Sequence, residues 1–190
     1  VPIKPTDEEE KYFAAREAEA RATLRRDVER AAAATQERER IARAIDADLD
    51  VAGRIQELGF SAETAPVFDL LPLVHVAWAD GKIQRSERAL ILQILEERGL
   101  AAGTPAFTMM ASLLETRPSD DFFAATLSAL RQVLGDFEGA DLVELCARVA
   151  RASGGLLGAG AMSSRERALI EDVARTLGPD AEARFRERLS

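Results

Sequence analysis

The chain carries few of the residues that enzymes use for chemistry. Among 190 residues there is one cysteine, Cys146, one histidine, His75, one tryptophan, Trp78, and one tyrosine, Tyr12. A single thiol excludes an internal disulfide framework and suits a reducing, cytoplasmic setting. Aromatic residues make up only 5% of the chain against 47% hydrophobic residues in all, so the core must be built from Leu, Ile, Val and Ala. There is no apolar run of about 18 residues, so no membrane span is expected. No apolar N-terminal stretch of the secretory kind is present either. Alternation with a period of two is missing throughout, which excludes half-buried strands.

Charge is plentiful but unevenly placed. The net charge is −8. Residues 1–45 carry 10 acids and 10 bases, whereas residues 46–190 carry 23 acids and 15 bases. A body with that surplus repels a phosphate backbone and an anionic lipid surface, so nucleic acid and direct membrane binding are both disfavoured. A protein partner or a second copy remains open.

The first 45 residues form a region of their own. After Pro2 and Pro5, the run Thr6-Asp7-Glu8-Glu9 reads as a capping box. From Asp7 to about Ala44 there is neither Gly nor Pro, and Ala, Arg and Glu dominate, which predicts one long helix. Its apolar positions, Tyr12, Phe13, Leu24, Val28, Ile41 and Ile45, do not sustain a heptad. Such a helix is either a solvated arm or a docking arm, and in the second case Tyr12 and Phe13 are the anchors.

Residues 46–190 read as a compact helical bundle. A short helix ends at Gly59. Ser61 is placed to cap the next turn, although Thr64 lacks the carboxylate of a capping box. Pro66 and Pro72 then split the following apolar segment, with Asp69 as the expected cap of its second piece. Val67, Leu70, Leu71, Val74 and Trp78 share one stripe, and Leu73, Val76 and Ala77 fill the other side, so this helix should be the buried centre. Thr104-Pro105 and Ser119-Asp120 each open a helix. Ser163-x-x-Glu166 is a second capping box, and Gly178-Pro179 precedes a charged last helix.

Within this body the chain repeats itself. Glu87-Arg88-Ala89-Leu90-Ile91 returns letter for letter as Glu166-Arg167-Ala168-Leu169-Ile170. Upstream, Ala77-x-Ala79-Asp80-Gly81 answers Ala150-x-Ala152-Ser153-Gly154, so the second turn is six residues longer. The expected architecture is therefore all-α, with two helix–turn–helix repeats related by a pseudo-twofold and preceded by the charged helix.

The stretch Val76-Ala77-x-Ala79-Asp80-Gly81-Lys82-Ile83-x-x-x-Glu87, its echo ending at Glu166, and the helical spacer between them resemble the TerB-like family. That family is named for tellurite-resistance proteins and is also found at the N-terminus of a membrane-anchored J-domain co-chaperone. The resemblance covers about Phe60 to Gly178. It implies a compact α-helical domain with pseudo-twofold halves, a place in stress responses or multiprotein assemblies, some of them membrane-linked, and acidic sites connected with metal ions. Carried onto this chain, the acidic positions are Asp80, Glu87 and Glu166, with Ser153 standing where a second aspartate would be.

Read from the residues themselves, Asp80 and Glu87 supply too few oxygens for a hard cation, and Lys82 stands beside them. Their ordinary roles are to bond the turn and to serve the helix start, with Gly81 allowing a left-handed turn. A divalent cation is the one cofactor left open, with Glu166 completing the set. His75, inside an apolar helix, reads as a structural histidine, Cys146 as a small core residue, and Trp78 as core or interface anchor. Gly154 to Gly160 lacks the Lys-Ser/Thr and the strand of a phosphate loop. Leu156, Leu157 and Met162 read instead as a hydrophobic finger that folds back or enters a partner. With no convergent acid–base set, the expected function is a non-catalytic interaction or adaptor protein. The alternative is a divalent-metal-binding stress protein.

Overall fold

The computed structural model describes residues 7–134, 136–152 and 162–189, without the side chains of 136 and 137. Among the described residues every regular element is helical: α1 (Asp7–Ile45), α2 (Leu49–Glu57), a 3-10 helix (Ala65–Leu70), α3 (Leu71–Ala77), α4 (Arg85–Glu97), α5 (Pro105–Glu115), α6 (Asp120–Val133), α7 (Asp136–Ala152), α8 (Ser164–Leu177) and α9 (Pro179–Leu189). The expected all-α class is what forms.

α1 behaves as two objects. From Asp7 to Gln36 all of it is exposed, held by near-neighbour ion pairs such as Arg21–Glu17 at 3.1 Å and Arg25–Glu29 at 3.4 Å. Exposed pairs of this kind contribute only about 0.3–0.5 kcal/mol each, so this part stands mainly on helix propensity. From Ala34 onward the same helix docks. Gln56 Nε2 donates to the Ala34 carbonyl at 3.0 Å, the Ala62 amide donates to Glu37 Oε1 at 2.7 Å, and Ile41 is wholly buried. Gly53 permits the close approach, because a Cβ there would lie 3.1 Å from Arg38 Nε.

α2 is capped by Asp48, whose side chain accepts from the Val51 amide at 2.8 Å, and ends in a Schellman turn at Gly59, φ +90. Two local expectations needed correction. Thr64 does the work that a carboxylate does in a capping box: its hydroxyl accepts from the Ser61 amide at 2.9 Å. Asp69 does not cap α3. The 3-10 helix runs straight into α3 with Leu70 between them, so no free helix start is left there, and Asp69 pairs instead with Arg98. Pro72 sits in the first turn of α3, where its missing amide costs nothing.

α3 is the buried centre, with Leu71, Leu73, Val74, Val76 and Ala77 at most 2% exposed, and it packs against α4, α6, α7 and α8. The few aromatic rings gather at one end of this core. Phe60 meets Phe68 edge-on at 5.1 Å and stacks on Phe122 at 6.4 Å. α9, for all its charge, is not a loose tail. Ala181, Phe185 and Leu189 form an i, i+4, i+8 stripe that is buried against α7 and α8.

Ile41 is the apolar side chain that seals α1 to the body. Ile41→Ala is expected to lower the unfolding free energy by roughly 2–5 kcal/mol, the cost of a buried cavity. Urea denaturation followed by circular dichroism measures it, and a loss under about 1 kcal/mol would mean that the α1–α2 contact is not held in solution.

Candidate functional site

Two helix starts meet at the centre of the molecule. At α4, Gln84 is extended (φ −74, ψ 154) and its amide donates to Glu87 Oε2 at 2.6 Å. At α8 the arrangement recurs: the Ser163 amide donates to Glu166 Oε2 at 2.6 Å, and the Glu166 amide donates to Ser163 Oγ at 3.2 Å. Both glutamates occupy the third helical position of the identical Glu-Arg-Ala-Leu-Ile segments, and both are only 2% exposed. A glutamate at this position ordinarily lies at the surface, where it favours the positive helix end. Here the apolar residues that follow it turn that position inward.

The Glu87 carboxyl lies within hydrogen-bonding reach of the Glu166 carboxyl. Carboxylates only accept, so a bond between two of them requires a proton. Glu87 holds that proton unusually well. Burial, then the charges of Glu166 and Asp80 and the bond to Glu166, push its carboxyl from 4.5 up to about 7 against the opposing pull of the Gln84 amide. Asp80, exposed at the rim, accepts from Ser163 Oγ at 3.3 Å, linking the turn before α4 to the cap of α8. The expected set Asp80, Glu87 and Glu166 is thus brought to one place. Ser163 joins it as the residue the sequence reading had used only as a cap.

The fit to a cation is partial. One oxygen of each glutamate is committed to a backbone amide, and burial favours the protonated form of Glu87 over a charged ligand. Among the described residues no group of three or more His, Cys, Asp or Glu side chains stands in a metal-ligating arrangement. Ser153, the counterpart of Asp80, lies outside the described residues.

The remaining candidates are placed as follows. His75 stacks face to face on Phe123 at 4.1 Å and 7°. Burial, helped by the charge of Arg117 and opposed by Asp120 and Asp172, lowers its pKa to about 4, so it is neutral at pH 7. Trp78 closes α3, and its indole N–H donates to the Leu113 carbonyl at 3.0 Å. Together with Ala79, Arg117, Arg165 and Leu169, these two residues line a surface cleft of about 400 Å³. Cys146 is fully buried and its thiol is pushed up by desolvation, which removes it as a nucleophile. Tyr12 and Phe13 are 58% and 59% exposed, edge-on to each other at 5.8 Å, far along α1 from these groups. Met162 packs partly against the core, while Leu156 and Leu157 lie outside the described residues.

These observations define an all-helical domain whose α4 and α8 are joined at their N-termini through buried carboxyls. The family model described as tellurite resistance protein TerB matches residues 70–189, more than half of the chain, and the chain belongs to that family. The match begins where the 3-10 helix meets α3 and runs through α9. It therefore extends past the expected limit near Gly178 and leaves out α1 and α2. No curated protein and no solved structure matches the chain.

Glu87 and His75 pull the stability of the fold in opposite directions as pH changes. Between pH 4.5 and about 7 the folded protein holds a proton on Glu87 that the unfolded chain has released, so this group stabilises most at low pH and loses its effect as pH rises. Between about 4 and 6.5 the unfolded chain protonates His75 and the folded one does not, so this group favours folding at higher pH. The two slopes oppose each other from 4.5 to 6.5. Glu87→Gln should unmask a rise in stability across that window, and His75→Phe a fall. Denaturant midpoints at half-unit pH steps measure both, and parallel curves for wild type and Glu87→Gln would exclude the buried proton.

Proposed function

We propose that this TerB-family protein is a non-catalytic interaction module in which the body is a rigid scaffold and α1 is its docking arm. The observation that carries the reading is where apolar surface is left in water. Of the large apolar side chains exposed among the described residues, Tyr12, Phe13, Leu24 and Val28 all lie on the free part of α1, and only Leu49 lies elsewhere. A helix that exposes such residues at spaced positions presents them to another protein. The body supports the same reading by what its reactive side chains are occupied with: His75 is neutral and stacked, Cys146 is buried, and the buried glutamates cap helices. The proposed role is as an adaptor in a cytoplasmic stress-response assembly, consistent with the tellurite-resistance description of the family. It reaches any membrane-linked complex through protein contacts. We further infer that the α3–α4 and α7–α8 hairpins are related by a pseudo-twofold, supported by the repeated segment and the matching bonds at Glu87 and Glu166.

Cross-linking and mass spectrometry of the full chain in its native cells tests the adaptor role. Contacts should concentrate on residues 12–13 and 156–162, and replacing Tyr12 and Phe13 by serine should reduce cross-linked partners about tenfold, as loss of an anchor does. Contacts confined to α5 would sink the reading.

A second reading, a divalent-cation site, is favoured by the convergence of Asp80, Glu87, Glu166 and the Ser163 hydroxyl. A hard cation in this position would replace the Glu87 proton and complete its shell with water. Calorimetry with magnesium, calcium, manganese and zinc should then give heat that disappears in Glu87→Gln and weakens at pH 5, where the proton competes. Absence of heat from the intact protein disposes of it.

A further inference from the structure

The free part of α1 carries a pattern that fits one particular partner, and this inference rests on the reading of α1 as the docking element. At about 100° per residue, Phe13, Ala20, Leu24 and Ala31 fall within roughly 40° of arc, with Val28 at its edge. All of them are exposed. The stripe lies roughly a third of a turn from Glu37 and a fifth from Ile41, while Arg38, which meets Gly53, shares the direction of Ala20, so a helix laid along the stripe has to end before Arg38.

The stripe reads the same from either end. Its spacings are seven, four and seven, centred on position 22. A second α1 running antiparallel therefore sets Phe13 against Ala31 and Leu24 against Ala20, each large side chain over a small one. The ends match as well. In that register Asp7 of one copy comes level with Glu37 of the other, where the bond to Ala62 marks the start of the body. The overlap thus uses the exposed length of the helix, about 45 Å, and stops where the helix is already covered.

Charge selects the same direction. Residues 7–19 carry six acids and two bases, and residues 25–37, which face them in this register, carry three bases and three acids. Antiparallel pairing turns the acidic end of one arm toward a charge-balanced stretch of the other that includes Arg25, Arg26 and Arg30, whereas parallel pairing stacks acid on acid. The acids that flank the stripe, Glu17 and Asp27, are each held by a guanidinium of their own helix, Arg21 at 3.1 Å and Arg30 at 3.6 Å. They reach the interface already neutralised.

We propose that the occupant of this stripe is a second copy of the chain, and that two α1 helices pair antiparallel about position 22. The dimer that results is isologous and holds the two TerB bodies at opposite ends of the helix pair.

Sedimentation velocity on the full chain over a hundredfold range of concentration should move the mass from 20.7 kDa toward twice that value. Leu24→Glu, at an exposed helix position, should keep the helical spectrum and hold the protein monomeric. Leu24→Ala should weaken the dimer, and adding Ala20→Leu should restore it, because the exchange rebuilds the same large-over-small contact in this register alone. Spin labels on Glu10→Cys should lie about 35 Å or more apart in the antiparallel pair. A full chain that stays monomeric, a separation below about 20 Å, or failure of the double exchange to restore pairing each overturns the proposal. If the chain is monomeric but the serine variants at Tyr12 and Phe13 still lose their cross-links, the docking reading stands and only its partner is wrong. If those cross-links are also unchanged, both fail.

Discussion

The meeting of Glu87 with Glu166 constrains the rest of the body. Each carboxyl has to satisfy its own helix start and the other carboxyl at once, in a place closed to water. Desolvating one carboxylate costs several kcal/mol, and two facing charges would cost more. The arrangement therefore favours a proton on Glu87 and holds it to a higher pH than an exposed carboxyl would. It also fixes geometry. α4 and α8 have to bring their third residues to one point, and α3, which packs against both, has to run past that point. The bond from Ser163 to Asp80 repeats the link at the surface, so the turn before α4 and the cap of α8 are tied twice.

How far the sequence foretold this depends on the residue. Ser163-x-x-Glu166 announces its box because serine is a favoured cap, and the structure has it complete. The matching bond at α4 was hidden because the cap is Gln84, which is not among the favoured residues, and the Glu-Arg-Ala-Leu-Ile identity alone pointed to it. Burial of the two glutamates was not legible from either helix start alone, since a glutamate there is ordinarily solvated. What signalled it was the same five letters occurring twice, which is more than capping requires. Asp69 failed as a predicted cap for a related reason. A side-chain cap needs unsatisfied amides, and a 3-10 helix that continues into α3 leaves none for it. The charged last helix was legible as a helix. The inward placement of Phe185 and Leu189 depends on α7, and composition does not report that.

The long helix shows how one composition serves two ends. Its Ala, Arg and Glu content makes it helical from Asp7 to Ile45 irrespective of surroundings, so the sequence fixes its extent well. Which face finds a partner is decided by the spacing of a few residues. Ile41 and the backbone at Ala34 find α2, while Phe13, Leu24 and Val28 stay exposed among the described residues. Propensity holds the free part in shape beforehand, so a partner need not supply the ordering cost that a disordered segment would exact on binding.

This division also explains why the family match can stop at residue 70 without loss of sense. α3 through α9 contain the paired carboxyls, the central helix and the docked last helix. α1 and α2 extend the core: Ile41, Val51, Ala52 and Ile55 are buried in it, with Asp48 as a cap and Glu37 and Gln56 as hydrogen-bonding partners. The exposed part of α1, from Asp7 to Gln36, can differ in stripe, length and charge while the buried carboxyls stay as they are. Association, as proposed for α1, and integrity of the fold then rest on different residues: Phe13 and Leu24 are exposed on the arm, and Glu87 is buried in the body.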